Sequence, residues 1–565
     1  KHMPKIRKEA QDGPRHIKSV WNAAFFVIAV LALWTAKTQL LPDRRIVIQS
    51  QKQYWANVEV SPSRGTIEDR KNIPLAISVP TVSFFIDPKF WDPASADILR
   101  GPFGNAVAAK FSRRMPGRFH WVARNISPEK ANDISRLKAP GLYTITEKRR
   151  VYPHESLAFH VLGFCDIDQF GQAGVELAWN HILYSPPRTR FVARDSKGTA
   201  LDIMGGKTSI AKDTAGSIKL TIDSRIQQIL EWRLSEGAKE AEAAWAAGVC
   251  VNPNTGEIIA LGSYPTINPN NRKNLANSGA VRNNAVGRVF EPGSIFKPIT
   301  MSIALETGAA SPNSIYNCQG SMILYDKTMN EVNKHAHGTQ DLTHVLMNSC
   351  NIGMSKMSMG VPKYQAYGML REFGFGEKSE VEIAGEEAGL IRQPEEWLGT
   401  VTANIFIGQG IAVTPLQEVM AIASIANGGV LLKPYVVAEV RDSMGNVIHK
   451  GERRERYHVL SEKTANFVRH AMKMVVAEGG GKLAKSQKVA VAGKTGTAQI
   501  AQSGQYRKGQ YVASFVGFWT AEKPEYVLLI SIGEPKGAKF YGGQIAAPVF
   551  KNIVEDIVQI APGKI

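Results

Sequence analysis

Cysteine is scarce. The chain of 565 residues holds four, Cys165, Cys250, Cys318 and Cys350, none close in sequence to another. That spacing spells neither a disulfide framework nor a metal-binding knuckle. Cys250 sits in the apolar run 248–251 and is expected to be a buried free thiol. Acidic residues are also in short supply: 50 Asp and Glu stand against 68 Lys and Arg, a net charge of +18. Such a balance suits anionic surroundings, whether a phospholipid surface, a polyanionic wall or nucleic acid. Nucleic acid is set aside, because there is no zinc-finger spacing, no phosphate-binding glycine loop and no RNA-binding aromatic motif. Internal repeats and low-complexity tracts are missing too. With 44% hydrophobic and 21% charged residues the chain reads as globular, and its length calls for several domains.

Long hydrophobic runs are also absent, with one exception. Across residues 19–41 only Lys37 is charged, and Trp21 and Trp34 lie near the ends. Roughly 20 apolar residues suffice to span a bilayer as a helix, with Trp at the interfaces. Residues 1–18 form a polar tail with six Lys or Arg and two acids. Cytoplasmic flanks carry the positive charge, so the tail is expected in the cytoplasm and residues 42–565 outside. No small-x-small cleavage site follows the run and Lys37 comes directly after it, so an uncleaved anchor is expected rather than a removed signal peptide.

Residues 42–216 read as a mixed, basic, loop-rich domain. Between Lys37 and Arg150 there are 20 Lys or Arg and 10 Asp or Glu, with no catalytic cluster. Arg64-Gly65-Thr66-Ile67-Glu68-Asp69-Arg70 alternates charge around a glycine and reads as a turn with surface ion pairs. Gly171 to Glu176 reads as a loop entering a short helix that Pro186-Pro187 ends. From 217 to 565 the pattern sharpens. A strand over 218–222 leads to a helix capped by Asp223 or Ser224. Strands are expected over 248–252 and 257–263 and again over 511–519 and 525–533, and a last helix has Pro548 in its first turn. Strands at both ends with helices between them point to one α/β domain on an antiparallel sheet of non-local segments.

Three short motifs carry chemistry. Ser294-Ile295-Phe296-Lys297 sets a hydroxyl and an amine on one helical face, about 5–6 Å apart at Cβ. Ser349-Cys350-Asn351 follows 55 residues later (294 to 349), and Lys494-Thr495-Gly496-Thr497 another 145 (349 to 494). Each alone is weak: Ser294 could be only a helix cap, Asn351 another, and Lys494 an edge-strand charge. Together and in this order they are the motif set of penicillin-binding proteins and class A β-lactamases. A serine hydroxyl becomes a nucleophile when a base takes its proton. Lys297 can be that base only when neutral, so its pKa must fall, through burial and through the neighbouring cation Lys494. Ser349 can relay a proton to the leaving amine, and Asn351 can donate to and accept from a substrate amide. Thr495, Gly496 and Thr497 are expected on an edge strand beside which a peptide adds, with Gly496 keeping the edge bare. Backbone N–H groups of Ser294 and Thr497 would form an oxyanion hole. Such a site calls for no metal and no organic cofactor. Cys350 is expected to point away from Ser349 and Asn351.

With these motifs on the page, the chain resembles a class B penicillin-binding protein over nearly its whole length. Arg64-Gly65…Asp69-Arg70 and Gly171…Gly174-Val175-Glu176 are similar to that family's two pedestal motifs, with Lys71-Asn72-Ile73 departing from its usual Asn-Gly. The resemblance implies an α+β multidomain fold: cytoplasmic tail 1–18, transmembrane helix 19–41, non-catalytic pedestal (dimerisation-type) domain 42–216, and a β-lactamase-like transpeptidase domain 217–565. It implies a D,D-transpeptidase in which Ser294 attacks the D-Ala-D-Ala end of a peptidoglycan stem peptide, an amine on a neighbouring stem takes the acyl group, and β-lactams trap Ser294. The segment 533–537 and the run 541–550 look like the division (septal, FtsI-type) group. An elongation-type enzyme is the alternative, and a membrane-anchored β-lactamase, a carboxypeptidase or an inactive β-lactam sensor stands further off. The implied partners are a polytopic glycan polymerase (FtsW-type) and other division proteins, at a bacterial inner membrane with the catalytic domain periplasmic.

Overall fold

The computed structural model describes residues 13–560, apart from 41–44, 46–54, 61–62, 118, 137–138, 195–199, 202–213, 276–278, 326 and 503–504. The chain divides into two units, residues 1–61 with 187–212, and residues 62–186 with 213–565. The first holds helix α1 (Gly13–Leu40) and a three-stranded sheet of Trp55–Val60, Arg188–Arg194 and Ala200–Leu201. Within α1, Ile17–Leu40 has a mean hydropathy of 1.8, and none of its apolar window is buried among the described residues.

In the second unit a seven-stranded sheet begins with the long strand Pro74–Ile86, which pairs antiparallel with His120–Ile126 and with Leu142–Val151. It also pairs with the short strand Ile67–Glu68, which runs parallel to Ser217–Leu220. Ser217–Leu220 continues the sheet to Val437–Arg441 and then to Val447–Lys450. One sheet therefore runs from the first third of the chain into its last.

The charged segment at Arg64 is not the surface network its alternation implies. Arg64, Arg150 and Glu176 are all buried, with Arg64 Nε on one carboxylate oxygen of Glu176 and Arg150 Nε on the other at 2.7 Å. Arg64 also donates to Asn180 Oδ1 (2.7 Å) and to the Gln169 carbonyl (2.8 Å). Burial alone would raise the Glu176 pKa, but Arg150 and Arg64 outweigh it and the net shift is downward. Asp69 turns the other way. Its side chain accepts from the N–H of Lys71 (2.7 Å) and Ile73 (2.9 Å), and from the Ser224 hydroxyl at 2.7 Å. Asn72 takes φ +63° in that turn, a left-handed conformation Asn tolerates, so the turn forms without the usual glycine.

The centre of the unit is a five-stranded antiparallel sheet: β1 (Trp245–Val251), β2 (Ile258–Tyr264), β3 (Val491–Gln502), β4 (Gln505–Trp519) and β5 (Tyr526–Gly533), in the order β2-β1-β5-β4-β3. Both faces are covered, which is why β1 and β5 read as continuous apolar runs. One face packs Leu528 and Ile530 with Leu230, Phe550 and Ile553, from α2 (Ser224–Glu240) and the C-terminal helix. The other packs Val527 and Leu529 with a larger core that includes α3 (Lys297–Glu306), α4 (Asn351–Met359) and α5 (Pro415–Ala426). Asp223 caps α2 through the N–H of Arg225 (3.1 Å). The C-terminal helix α6 (Gly542–Ile560) starts a turn and a half earlier than expected, so Pro548 lies inside it rather than in its first turn. The start is fixed by tertiary contact: the Gly542 N–H donates to Thr497 Oγ1 at 2.9 Å.

Candidate active site

Ser294 lies on a single 3-10 turn, Gly293–Phe296, that runs directly into α3. Lys297 opens α3 with Pro298 behind it, and its side chain is completely buried. Its amine does not bond to Ser294. It donates to the Ser349 carbonyl (2.5 Å), to Asn351 Oδ1 (2.7 Å) and to Ser349 Oγ (3.2 Å). Lys494, also buried, donates to Ser349 Oγ and to the Thr495 carbonyl, both at 3.0 Å. One hydroxyl thus receives two amines, and its own proton stays free for a third partner. Ser349 itself has φ +55°, a left-handed backbone for a non-glycine residue. That strain, of order 1–3 kcal/mol, turns its carbonyl onto Lys297.

Burial lowers both lysines. Lys297 falls to about 8, against the opposing charge of Glu331 and the Cys350 sulfur. Lys494 falls well below its ordinary range, first by burial and second by repulsion from Lys297. Burial is the first cause for each, and the repulsion between the two neighbouring amines is shared by the pair.

β3 is an edge strand, with Lys494 paired to Val516 and Thr497 to Ala513. By alternation Lys494 and Gly496 share one face, and Thr495 and Thr497 the other. Thr497 Oγ1 is held by α6 and Thr495 Cγ2 faces Gly543, so backbone is what these two offer the open edge. Gly496 does not keep the edge bare for a ligand. A Cβ there would stand 2.8 Å from Ile295 Cγ2 and 3.1 Å from Ile295 N, so the missing side chain lets the Ser294 turn press onto the strand.

Two supports of the Ser294 turn carried no warning in the sequence beyond a Gly-x-Gly. The Gly293 N–H donates to the Gly408 carbonyl (2.9 Å), and a Cβ on Gly408 (φ +80°) would lie 2.0 Å from the Gly293 oxygen. Beside them Glu291 accepts from the Gly410 N–H (2.9 Å) and from the Tyr506 hydroxyl (3.1 Å).

Cys350, not Asn351, caps α4, its sulfur accepting from the Gly353 N–H at 3.2 Å. It is buried and directed at Glu331. Although the cysteines are far apart in sequence, the fold brings Cys318 and Cys350 together around Glu331 and His337.

A serine at the head of a buried helix, a buried lysine one turn on, a Ser-x-Asn turn and an edge strand bearing Lys-Thr-Gly define a penicillin-binding serine acyltransferase fold. Comparison with known proteins agrees. Residues 246–555 match the penicillin binding protein transpeptidase domain and residues 59–211 the penicillin-binding protein dimerisation domain. The chain is 32% identical to the peptidoglycan D,D-transpeptidase FtsI of Escherichia coli K12, over 94% of this chain and 89% of that protein. It is also 32% identical to stage V sporulation protein D of Bacillus subtilis, over 94% and 84% respectively. Among solved structures, apo penicillin binding protein 3 of Mycobacterium tuberculosis superposes with a TM-score of 0.68 at 26% identity, covering 90% of this chain and 98% of that one. The chain belongs to the class B penicillin-binding proteins, with a dimerisation-type domain ahead of a transpeptidase domain.

Proposed function

We propose that this protein is a peptidoglycan D,D-transpeptidase of septal wall synthesis, with Ser294 as nucleophile. The observation that carries the chemistry is the Ser349 hydroxyl shared by two buried lysines beside the Ser294 turn. Neutral Lys297 takes the Ser294 proton as Oγ attacks the carbonyl carbon of the penultimate D-Ala. The backbone N–H groups of Ser294 and Thr497 receive the oxyanion, and an extended stem peptide lies along the edge of β3 beside Thr495, Gly496 and Thr497. The hydroxyl of Ser349, restocked from the lysines, gives a proton to the departing D-Ala amine. Asn351 holds Lys297 in place and offers its amide N–H groups to the substrate. The acyl-enzyme then yields to an amine from a second stem, forming the cross-link.

The septal assignment rests on kinship with FtsI and with a sporulation relative. The proposed organisation is a cytoplasmic tail (1–18), an anchor (19–41), a pedestal (42–216) and a catalytic domain (217–565) outside the inner membrane, beside an FtsW-type polymerase. Labelling with a fluorescent penicillin tests the chemistry. Wild type keeps the label for hours and Ser294→Ala takes none. Rapid loss of label from wild type means a β-lactamase, and failure of wild type to label refutes Ser294 as nucleophile. Failure to rescue a division-transpeptidase-deficient strain, with labelling intact, refutes the septal assignment alone.

A further inference from the structure

Beside the second motif lies a cluster that the acyl-transfer chemistry does not use. The strand Ile315–Cys318 pairs antiparallel with Gly338–Asp341, setting Cys318 opposite Gly338 and so next to His337. Between them the hairpin of Ser321–Leu324 and Lys327–Asn330 delivers Glu331 to the interior, where it is 5% exposed. Cys350 arrives from the head of α4. The two sulfurs, a carboxylate oxygen and a ring nitrogen all lie within 4.8 Å of one another, three of the four residues being buried and His337 half-buried. Cys318 Sγ is 3.6 Å from His337 Nδ1 and 3.7 Å from Glu331 Oε1, and Cys350 Sγ is 3.0 Å from the same oxygen.

Two of those separations match the edges of a coordination polyhedron, and the third, Cys350 Sγ to Glu331 Oε1, is shorter. A tetrahedral zinc with Zn–S near ~2.3 Å and Zn–N or Zn–O near ~2.1 Å has donor–donor edges of about 3.5–3.8 Å. As a hydrogen-bond cluster the group is poor, because thiols are weak donors, even though buried Lys297 lies near enough to balance the Glu331 charge. As a ligand set it is coherent: two thiolates, an imidazole and a carboxylate suit a borderline-soft divalent ion and disfavour calcium or magnesium. We propose that Cys318, Glu331, His337 and Cys350 form a structural zinc site. Binding releases the two thiol protons, and four protein donors complete the shell, so the ion is not open to substrate. Half-exposed His337 is the side from which it enters.

The ion joins four points of the chain at the flank of the nucleophile's partners. Cys350 lies between Ser349 and Asn351, and Glu331 Oε1 already accepts from the Ile352 N–H at 2.7 Å. The ligands are therefore positioning residues: they fix the turn that presents Ser349 and Asn351 to Lys297.

Full-length protein purified in detergent without added metal tests this by elemental analysis. About one zinc per chain is expected in wild type and in Ser294→Ala, and far less than one in Cys318→Ser and His337→Ala. Cobalt added to stripped protein should give thiolate charge-transfer absorption and the strong visible bands of a tetrahedral site. Stripping should slow penicillin acylation about tenfold, with recovery on adding zinc but not magnesium. The variants lie away from the α4 cap, and circular dichroism separates metal loss from unfolding. Folded wild type that takes up neither zinc nor cobalt, or that is isolated with a Cys318–Cys350 disulfide, overturns the site. Zinc without penicillin labelling would instead overturn the transpeptidase assignment and leave the metal standing.

Discussion

Two buried ammonium groups competing for one serine hydroxyl set the chemistry of the smallest scale. The arrangement is stable only if at least one of them gives up its proton, and burial drives both that way. Lys297 loses its proton as pH rises through about 8, so a base-limited acylation rate should climb with pH to that point and level off. Stopped-flow acylation by a chromogenic cephalosporin between pH 6 and 10 checks this; a flat profile removes Lys297 as the titrating base. Lys494→Ala leaves Ser349 with one amine and should slow acylation roughly 10²–10³-fold, the scale for losing one electrostatic stabiliser. Lys297, Ser349, Asn351 and Lys494 meet through hydrogen bonds, with Ser294 one turn ahead of Lys297. Less legible were the bonds among them. Spacing suggested a Ser294–Lys297 contact, but the left-handed backbone of Ser349 competes for that amine, and a positive φ on serine is invisible in a one-letter string.

At the scale of elements, α5 is the most buried helix of the catalytic core. It carries Glu418, whose two carboxylate oxygens meet no hydrogen-bond partner among the described residues. Burial pushes this carboxyl up to about 8, so it is protonated in the folded protein at neutral pH and ionised in the unfolded chain above about 4.5. The native state then holds the extra proton, and stability falls as pH rises from about 4.5 to 8. Glu418→Gln should flatten that slope, its melting temperature overtaking wild type by more at pH 8 than at pH 5, with a difference of a few kcal/mol at the upper end. An equal gap at both pH values would contradict the assignment. The strands of the central sheet were readable from their apolar runs. The start of α6 was not, because it is set by Thr497, 45 residues upstream, and Pro548 in a helix interior looks locally like a first-turn proline.

For the molecule as a whole, what matters is how the early and late segments of the second unit are joined. Arg64, Arg150 and Glu176 lock the pedestal strands, and Asp69 to Ser224 with Arg70 to Glu257 at 3.2 Å tie that side to α2 and β2. Glu176→Gln leaves two buried guanidinium groups short of a counter-charge and should cost about 3–5 kcal/mol. Thermal unfolding of the full chain measures it, and a shift under ~1 kcal/mol would mean the site relaxes to admit water. The sequence showed charges alternating about a glycine, which suits a solvated turn just as well. Burial of an ion triad depends on strands that meet only after folding, so only the resemblance to the family's pedestal motifs, and no local charge pattern, implied that these residues hold the domain together.

The wall behind Ser294 is backbone against backbone. Gly408 meets Gly293, Gly542 would meet the Gly496 oxygen at 2.1 Å, and Gly496 meets Ile295, none with room for a methyl group. This wall is not remodelled one substitution at a time, since each first step displaces the Ser294 turn. Sequence change around the site is therefore expected at the rim of the cleft and in the loops that carry the motifs, where a side chain can change without moving Ser294.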